Sequence, residues 1–255
     1  MIGVTKARLR QGYRTMSYPA GAPPELPAHF TGRPAVDGAK CAGECRVCAE
    51  VCPTGAIQAG AGAGGVRLDT GRCIFCMACR DACPTRAIGF GRDHRLAAAD
   101  REDLIVGPEQ SRIPSALSQK ARKLFGRSLK LREVSAGGCN ACEADTNVLN
   151  TLAWDLGRFG IQFVAAPRHA DGLLITGPVS ENMRTALVKT YEAVPAPKIV
   201  IVVGSCAIAG GPYVDHPETH NGAAGLVPVD LFIPGCPPHP LTILDGLLRL
   251  LGRLP

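Results

Sequence analysis

The residues of this chain that could do chemistry are its 12 cysteines, which fall into two separate blocks. Eight lie between residues 41 and 83, and four lie between residues 139 and 236. The amino terminus "MIGVTKARLRQGYR" lacks the apolar core of a secretion signal, and no run reaches the length of a membrane helix. We therefore expect a cytoplasmic protein, in which thiols stay reduced and such cysteines indicate metal binding.

The first block contains two runs with the spacing of iron–sulfur ligands. Residues 73–84 read "CIFCMACRDACP", a complete Cys-x₂-Cys-x₂-Cys-x₃-Cys-Pro run. Residues 41–53 read "CAGECRVCAEVCP", the same run with one additional residue between its first two cysteines. Zinc is the alternative, but zinc sites space their cysteines in separated pairs. The spacing predicts two [4Fe–4S] clusters, held by soft thiolate ligands.

In such runs three thiolates bind one cubane, and the fourth binds the neighbouring cluster. Pro53 and Pro84 follow the fourth cysteine of each run and end the short helix that carries it. Residues 35–92 resemble a bacterial two-cluster ferredoxin domain, which has an α+β fold. The predicted first centre comprises Cys41, Cys45, Cys48 and Cys83, and the predicted second centre comprises Cys73, Cys76, Cys79 and Cys52.

The segment "GAGAGG", residues 60–65, matches the glycine pattern of dinucleotide-binding loops. That pattern binds a nucleotide only where a strand leads into a helix. Here it joins "AIQA" to "VRLD", two short strand-like pieces, so we predict a hairpin loop and no nucleotide binding.

Beyond residue 128 the sequence alternates short β-branched runs with segments of helical length. This order indicates a mostly parallel sheet with helices on both faces, in a flavodoxin-like α/β arrangement. The predicted strands are residues 129–134, 161–166, 172–177, 198–204 and "VDLFI" at 229–233, and the predicted helices lie near 143–157 and 181–193.

The four remaining cysteines follow strands of this predicted sheet, at whose carboxyl edge functional loops collect. We therefore expect them to converge, although four cysteines alone are compatible with zinc as well as with iron and sulfur. Glycine or proline in each loop lets the backbone approach a bulky inorganic core, which favours a third [4Fe–4S] cluster. The predicted third centre comprises Cys139, Cys142, Cys206 and Cys236.

Four strings give the second half a specific resemblance: "GGCNACEADTN", "PRHADGLLITGPVSENM", "GSCAIAGG" and "PVDLFIPGCPPHP". Residues 128–252 resemble the small, electron-transferring subunit of membrane-bound, energy-converting nickel–iron hydrogenases (group 4, formate hydrogenlyase type). That subunit is homologous to the 20 kDa (B-type) subunit of respiratory complex I. Complex I subunits usually have two adjacent cysteines where this chain has "CNAC", so the hydrogenase group is favoured.

The first half is similar to the separate ferredoxin-like subunit of formate hydrogenlyase complexes, including "GRCIFC" at 71–76 and "SYP" at 17–19. The chain therefore resembles a fusion of two neighbouring subunits, and a covalent tether keeps redox centres at high effective concentration. The predicted organisation is an amino-terminal extension (1–34), a two-cluster ferredoxin domain (35–103), a linker with a basic amphipathic helix (104–128), and a hydrogenase small-subunit domain (129–255).

Charge divides the chain at about the same place. Residues 1–130 contain 20 Lys and Arg against 11 Asp and Glu, whereas residues 131–255 contain 8 against 11. The basic half carries no recognised nucleic-acid motif and few aromatic residues, so we expect no nucleic-acid partner. Its basic helix, predicted between Ser115 and Phe125, suits a membrane surface, the groove of a partner protein or a solvated connector.

The resemblance implies an electron-transfer subunit without bond chemistry of its own, holding three [4Fe–4S] clusters. The implied partners are a [NiFe] hydrogenase large subunit, other subunits of a membrane-bound complex, and an upstream electron donor that uses formate, carbon monoxide or reduced ferredoxin. The implied location is peripheral, on the cytoplasmic face of the inner membrane. A complex I-like NADH/quinone oxidoreductase module and a free-standing ferredoxin-type carrier are the alternatives.

Glu143 directly follows Cys142 at the start of a predicted helix. A carboxylate at that position is favoured by the helix dipole, which is reason enough for its presence. The resemblance places it near the large-subunit interface, where it could also serve as a proton relay.

Overall fold

The computed structural model describes residues 2–41, 44–60, 65–107 and 125–254. Helix α1 (Ile2–Gln11) is exposed along its whole length. An irregular segment then leads to strand β1 (Pro34–Val36) and the first cysteine block. Of the basic helix predicted in the linker, only Phe125 lies within the described residues, and its ring is buried in the core of the second half.

The first cysteine block is built from short strands and two short helices. The strands are β1, β2 (Ile57–Ala59), β3 (Val66–Asp69), β4 (Ile88–Phe90) and β5 (Ile105–Val106), and the helices are α2 (Val47–Glu50) and α3 (Ala78–Ala82). Strand β1 pairs with β4, and β3 pairs with β2 on one side and β5 on the other, all antiparallel. The hairpin predicted around the glycine-rich segment is confirmed, because Ile57 lies opposite Leu68.

A repeated hexapeptide explains the internal symmetry of this block. Residues 52–57 read "CPTGAI" and residues 83–88 read "CPTRAI". The first copy begins two residues after the end of α2, and the second directly follows α3. In both copies the chain turns through a residue with positive φ, Gly55 at 59° and Arg86 at 54°. Each copy thus leads from a cysteine, past a proline that cannot continue the helix, towards a strand.

The second half contains a five-stranded sheet in which every pairing is parallel. Its strands are β6 (Leu129–Ser135), β7 (Ile161–Phe163), β8 (Gly172–Thr176), β9 (Ile199–Val203) and β10 (Leu231–Ile233). The spatial order is β7-β6-β8-β9-β10. Numbered from β6, this is the 2-1-3-4-5 order of flavodoxin-like folds, so the predicted fold class is confirmed.

Apolar side chains cover both faces of this sheet. Successive residues of β8 belong to different cores. Leu174 packs in the core that contains the helix Pro240–Leu250, whereas Leu173 and Ile175 pack in the core that contains Leu187 of the helix Glu181–Ala193. This alternation is the period-2 pattern of a strand buried on both faces. The helices are α4 (Ala141–Val148), α5 (Glu181–Ala193), α6 (Ser205–Ala209) and α7 (Pro240–Leu250).

Helix α4 is shorter than the segment predicted from the sequence. It ends at Val148, where Thr151 Oγ1 donates a hydrogen bond to the Val148 carbonyl at 2.7 Å. A hydroxyl that bonds locally to the backbone competes with the helical ladder. The chain therefore turns, and only a short 3₁₀ segment, Leu156–Phe159, follows before β7.

The two halves of the chain are hydrogen-bonded to each other. Ala98 and Phe232 exchange both backbone hydrogen bonds, at 2.9 and 2.8 Å, so the first half covers the edge strand β10. Arg158 donates to the carbonyls of Met16 and Tyr18, at 2.6 and 2.7 Å, and so holds the amino-terminal extension against the second half. An exposed sheet edge is a site for unwanted pairing, and this bridge protects it.

Within the described residues, no helix is both long enough and apolar enough to cross a membrane.

Candidate iron–sulfur centres

The predicted first centre surrounds a small cavity. Cys45 and Cys48 of the first run line it, together with Cys83, the last cysteine of the second run. Cys41 completes the set, with Pro84 and Thr85 in the wall. The structure therefore brings together the four residues of the predicted crossed set.

The predicted second centre surrounds a separate small cavity. Cys52 enters this cavity from the first run and meets the three leading cysteines of the second run, Cys73, Cys76 and Cys79. Leu68, in the wall, belongs to the apolar core of the block. The polypeptide itself therefore brings both crossed sets of four cysteines together.

Backbone N–H groups point at several of these sulfurs. The amide of Ala56 donates to Cys52 Sγ and the amide of Ala87 donates to Cys83 Sγ, both at 3.2 Å. The amide of Phe75 donates to Cys73 Sγ at 3.3 Å. The first two bonds occupy matching positions in the repeated hexapeptide. Hydrogen bonds to cluster sulfurs stabilise negative charge and help to set reduction potentials.

Two Cys-x-x-Cys loops share a backbone conformation. Met77, between Cys76 and Cys79, has φ 63°, and Asn140, in the other loop, has φ 69°. In both loops the helix begins at the next residue. The left-handed residue lets the chain turn sharply between its two thiols. The corresponding residue of the first run, Arg46, has φ −119° and does not share this conformation.

The four cysteines of the predicted third centre come together at the carboxyl edge of the parallel sheet. Burial raises the pKa of the Cys142 thiol, and the proximity of Cys206 and Cys236 raises it further. Burial likewise raises the pKa of Cys206 to about 11, with Cys236 and Cys139 adding to the effect. Thiols that influence one another in this way lie within a short distance of each other.

Two glycines let the backbone approach these thiols closely. A Cβ at Gly204 (φ 90°) would collide with Cys142 Sγ, and one at Gly211 (φ 55°) would lie 2.7 Å from Cys206 Sγ. Across the described parts of the chain, no three His, Cys, Asp or Glu side chains converge as a single metal ion requires. Cys142 and Cys206 thus lie directly against glycine backbone, the close approach expected of loops that surround a bulky inorganic core.

The charge state of the thiols also fits metal binding. Burial raises the pKa of Cys73 to about 12 and that of Cys79 to about 11, in each case against the lowering effect of a backbone hydrogen bond. At neutral pH these thiols hold their protons unless a cation compensates the buried charge. Iron would supply that charge, so assembly of the centre and deprotonation are coupled.

Glu143 lies where the strand order of the sheet reverses. Its side chain is 6% exposed, and its Oε1 accepts hydrogen bonds from Ser135 Oγ at 2.6 Å and Thr176 Oγ1 at 2.7 Å. Ser135 and Thr176 are the last residues of β6 and β8, the two strands at the switch point. In open α/β sheets this crevice is where functional groups collect.

Sequence reasoning missed a second carboxylate beside it. Burial raises the pKa of Glu133 to about 7, and the neighbouring Glu143 contributes in the same direction. The Oε1 atom of Glu133 is buried and has no hydrogen-bond partner within the described structure. The available signal was an acidic residue inside the strand "LKLREVS", whose alternate positions are apolar.

Known families match both halves of the chain. Residues 40–88 match the 4Fe-4S dicluster domain, and residues 139–250 match the family described as NADH ubiquinone oxidoreductase, 20 Kd subunit. The chain is 39% identical over 146 residues to the probable membrane-bound hydrogenase subunit mbhJ of Pyrococcus furiosus, covering 57% of this chain and 87% of that relative. The chain belongs to the 20 kDa subunit family. With its dicluster domain, it is an iron–sulfur protein of the [4Fe–4S] type.

Other members of the 20 kDa subunit family come from different complexes. Formate hydrogenlyase subunit 7 of Escherichia coli is 42% identical over 142 residues, which are 55% of this chain and 56% of that relative. The B-type subunit of the NADH-quinone oxidoreductase of Clostridium beijerinckii is 41% identical over 118 residues, which are 46% of this chain and 70% of that relative. The chain thus spans little more than half the length of formate hydrogenlyase subunit 7.

Proposed function

We propose that the chain is the iron–sulfur electron-transfer subunit of a membrane-associated [NiFe] hydrogenase complex of the formate hydrogenlyase type. It would pass single electrons to or from an active site in a separate large subunit. The observation that carries this proposal is the 39% identity to the hydrogenase subunit mbhJ, which extends over 87% of that relative. The "CNAC" spacing of the third centre, typical of the hydrogenase group in our sequence interpretation, supports it further.

The proposal includes three [4Fe–4S] clusters, one in each of the three centres, and the ligand sets defined above. When bound, these clusters supply one-electron redox chemistry. The chain's own residues would bind them through thiolates, orient them through loops that begin short helices, and adjust their potentials through N–H donors such as those of Ala56 and Ala87. The predicted domain boundaries belong to the same proposal.

The partners in this proposal are the large subunit, the other subunits of a membrane-bound complex, and an upstream donor enzyme or ferredoxin. The hydrogenase relative is described as membrane-bound, which supports a peripheral position at a membrane, held through partners. The cytoplasmic face of the inner membrane is part of the proposal, because thiols stay reduced there. The two halves bonded through Ala98 and Phe232 would carry electrons as one unit.

A complex I-like module is the second candidate, and a specific observation favours it. The quinone oxidoreductase relative from Clostridium beijerinckii is 41% identical to this chain over 118 residues. In that case the third centre would donate electrons to a quinone rather than exchange them with a nickel–iron site. Both candidates use the same fold, and the "CNAC" spacing favours the hydrogenase type without identifying a partner, so the partner decides between them.

The deciding experiment is anaerobic affinity purification of the tagged chain from its host. Nickel and iron are quantified in the purified complex, and hydrogen-dependent viologen reduction is assayed. Co-purifying nickel with hydrogen-linked activity would establish the hydrogenase function. Iron without nickel, together with quinone reduction, would replace it with the second candidate, and an iron protein without catalytic partners would leave a free-standing carrier.

A further inference from the structure

One buried hydroxyl lies between the loops of two centres. Ser205 is 1% exposed and immediately precedes Cys206. Its Oγ donates to the backbone carbonyl of Cys73 at 2.5 Å and lies 3.1 Å from the carbonyl of Gly235. Cys73 belongs to the second centre, and Gly235 directly precedes Cys236 of the third. A single side chain of the Cys206 loop therefore contacts two other ligand loops.

The hydrogen bond crosses the boundary between the two halves of the chain, because its partners are 132 residues apart. On the side of the third centre, Ser205 is also fixed by its own amide, which donates to the Gly235 carbonyl at 2.9 Å. The Cys206 and Cys236 loops therefore hold the hydroxyl in place, and the hydroxyl donates to the Cys73 loop. In a dry interior such a bond is stronger than it would be in water.

Apolar packing closes the space beside this bond. A Cβ at Gly71 would lie 2.8 Å from Ile208 Cγ2 and 2.9 Å from Leu104 Cδ1. Gly71 precedes Cys73 by two residues, and Ile208 follows Cys206 by two residues. The absence of a side chain at Gly71 thus allows the two ligand loops to approach closely, which is the role of glycine wherever backbones must meet.

We propose that Ser205 is a positioning residue for electron transfer between the second and third centres. Its hydroxyl fixes the Cys73 loop against the Cys206 loop and replaces a van der Waals gap of about 3.5–4.0 Å with a shorter hydrogen-bonded contact. One electron crosses, so that one centre is oxidised as the other is reduced, and no bond is formed or broken. The inference rests on the proposed electron-transfer function.

Ser205→Ala tests the proposal in the iron-loaded chain within its complex. Thr70→Val is the matched control, because Thr70 Oγ1 also donates to a buried carbonyl, that of Leu104 at 2.8 Å, without joining two ligand loops. We measure iron content, the midpoint potential of each centre, the electron paramagnetic resonance interaction between reduced second and third centres, and the rate of electron equilibration between them.

We expect Ser205→Ala to keep its iron and to slow electron equilibration. We also expect it to lower the midpoint potential of the second centre, because the negative end of the Cys73 carbonyl dipole loses its compensating donor and disfavours an added electron. Thr70→Val should leave the midpoint potential of the second centre and the rate of electron equilibration at wild-type values. Gly71→Ala, which separates the same loops sterically, should also slow equilibration. Wild-type potentials, magnetic interaction and rate in Ser205→Ala would overturn the proposal.

If Ser205→Ala loses iron, the structure of the iron-loaded wild-type chain decides. A Ser205 Oγ within hydrogen-bond distance of the Cys73 carbonyl supports the proposal, and a separation filled by water overturns it. These measurements follow the centres themselves and not hydrogen. An absence of hydrogenase activity would therefore refute the proposed function. The effect of Ser205→Ala on the centres would still be measurable.

Discussion

At the scale of single residues, backbone conformation in the ligand loops is as demanding as thiol chemistry. Asn140 has φ 69°, in the left-handed region that asparagine and glycine tolerate and β-branched residues do not. We expect Asn140→Gly to keep the third centre, and Asn140→Val to lose it, because the left-handed conformation costs a branched residue about 1–2 kcal/mol or more. Iron content and the resonance spectrum of the third centre measure the outcome.

The control for this change is Asn182→Val, on an exposed position of helix α5 with ordinary helical conformation. It introduces the same side chain without the positive φ, so it should leave every centre intact. Equal occupancy of the third centre in Asn140→Val and Asn182→Val would show that the left-handed turn between Cys139 and Cys142 is not required.

Glu143 combines a structural and a proposed chemical role, and two substitutions separate them. Glu143→Gln keeps an oxygen that can accept the hydroxyl bonds of Ser135 and Thr176 but cannot carry a proton. We expect it to retain the third centre and to slow hydrogen production. Glu143→Leu removes the acceptor of both hydroxyls, at a cost of about 1–3 kcal/mol for the buried Thr176, and should lower iron content as well.

Hydrogen production by the assembled complex, together with iron content, measures both variants. Wild-type activity in Glu143→Gln would remove the relay role and leave the carboxylate as a helix-terminal and hydrogen-bonding group alone.

At the scale of elements, the two runs of the first block exchange their fourth cysteines, and paired substitutions test this crossing. Cys52→Ser with Cys76→Ser removes two ligands of the second centre, so about a third of the iron should be lost. Cys52→Ser with Cys45→Ser removes one ligand from each of two centres, so about two thirds should be lost. Iron analysis of the two purified variants gives the comparison.

An uncrossed arrangement, in which each run binds its own cluster, predicts the opposite order of iron loss for the two pairs. Equal losses would contradict both arrangements. The cavities lined by Cys83 with the first run and by Cys52 with the second run are the reason to expect the crossed order.

Sequence patterns predicted the elements of this fold well because their causes are local. The β-branched runs became the strands of a parallel sheet, and the segment 181–193 became helix α5 with the same bounds. The convergence of four distant cysteines followed from one topological rule, that functional loops collect at the carboxyl ends of parallel strands. The early end of α4 was missed, because the local bond from the Thr151 hydroxyl to the Val148 carbonyl has no periodic signature in the sequence.

Contacts between distant segments could not be predicted from the same patterns. The backbone bridge between Ala98 and Phe232 uses no side chain and leaves no trace in composition. The Ser205 hydroxyl is adjacent to a predicted ligand, but its partner lies 132 residues away. The raised pKa of Glu133 depends on its burial and on Glu143, which only the fold places beside it. Such features require the packed chain.

At the scale of the whole molecule, a buried network attaches the amino-terminal extension to the second half. Tyr18 donates a hydrogen bond from its hydroxyl to Asp245 Oδ1 at 3.1 Å, and Arg249 donates to Asp245 Oδ2 at 2.9 Å. Burial raises the pKa of Tyr18, and the Asp245 carboxylate raises it further. The hydroxyl therefore stays protonated and serves as a donor throughout the physiological pH range.

This network predicts how firmly the extension is held. Tyr18→Phe keeps the ring but removes the donor to a buried carboxylate, so the free energy of unfolding should fall by about 1–3 kcal/mol. Tyr13→Phe is the matched control, because the Tyr13 side chain is 89% exposed and should contribute almost nothing. Thermal unfolding of both iron-loaded variants, with limited proteolysis of residues 1–34, provides the measurement. Equal unfolding temperatures and equal proteolysis rates would show that Arg158, through the carbonyls of Met16 and Tyr18, is sufficient to hold the extension.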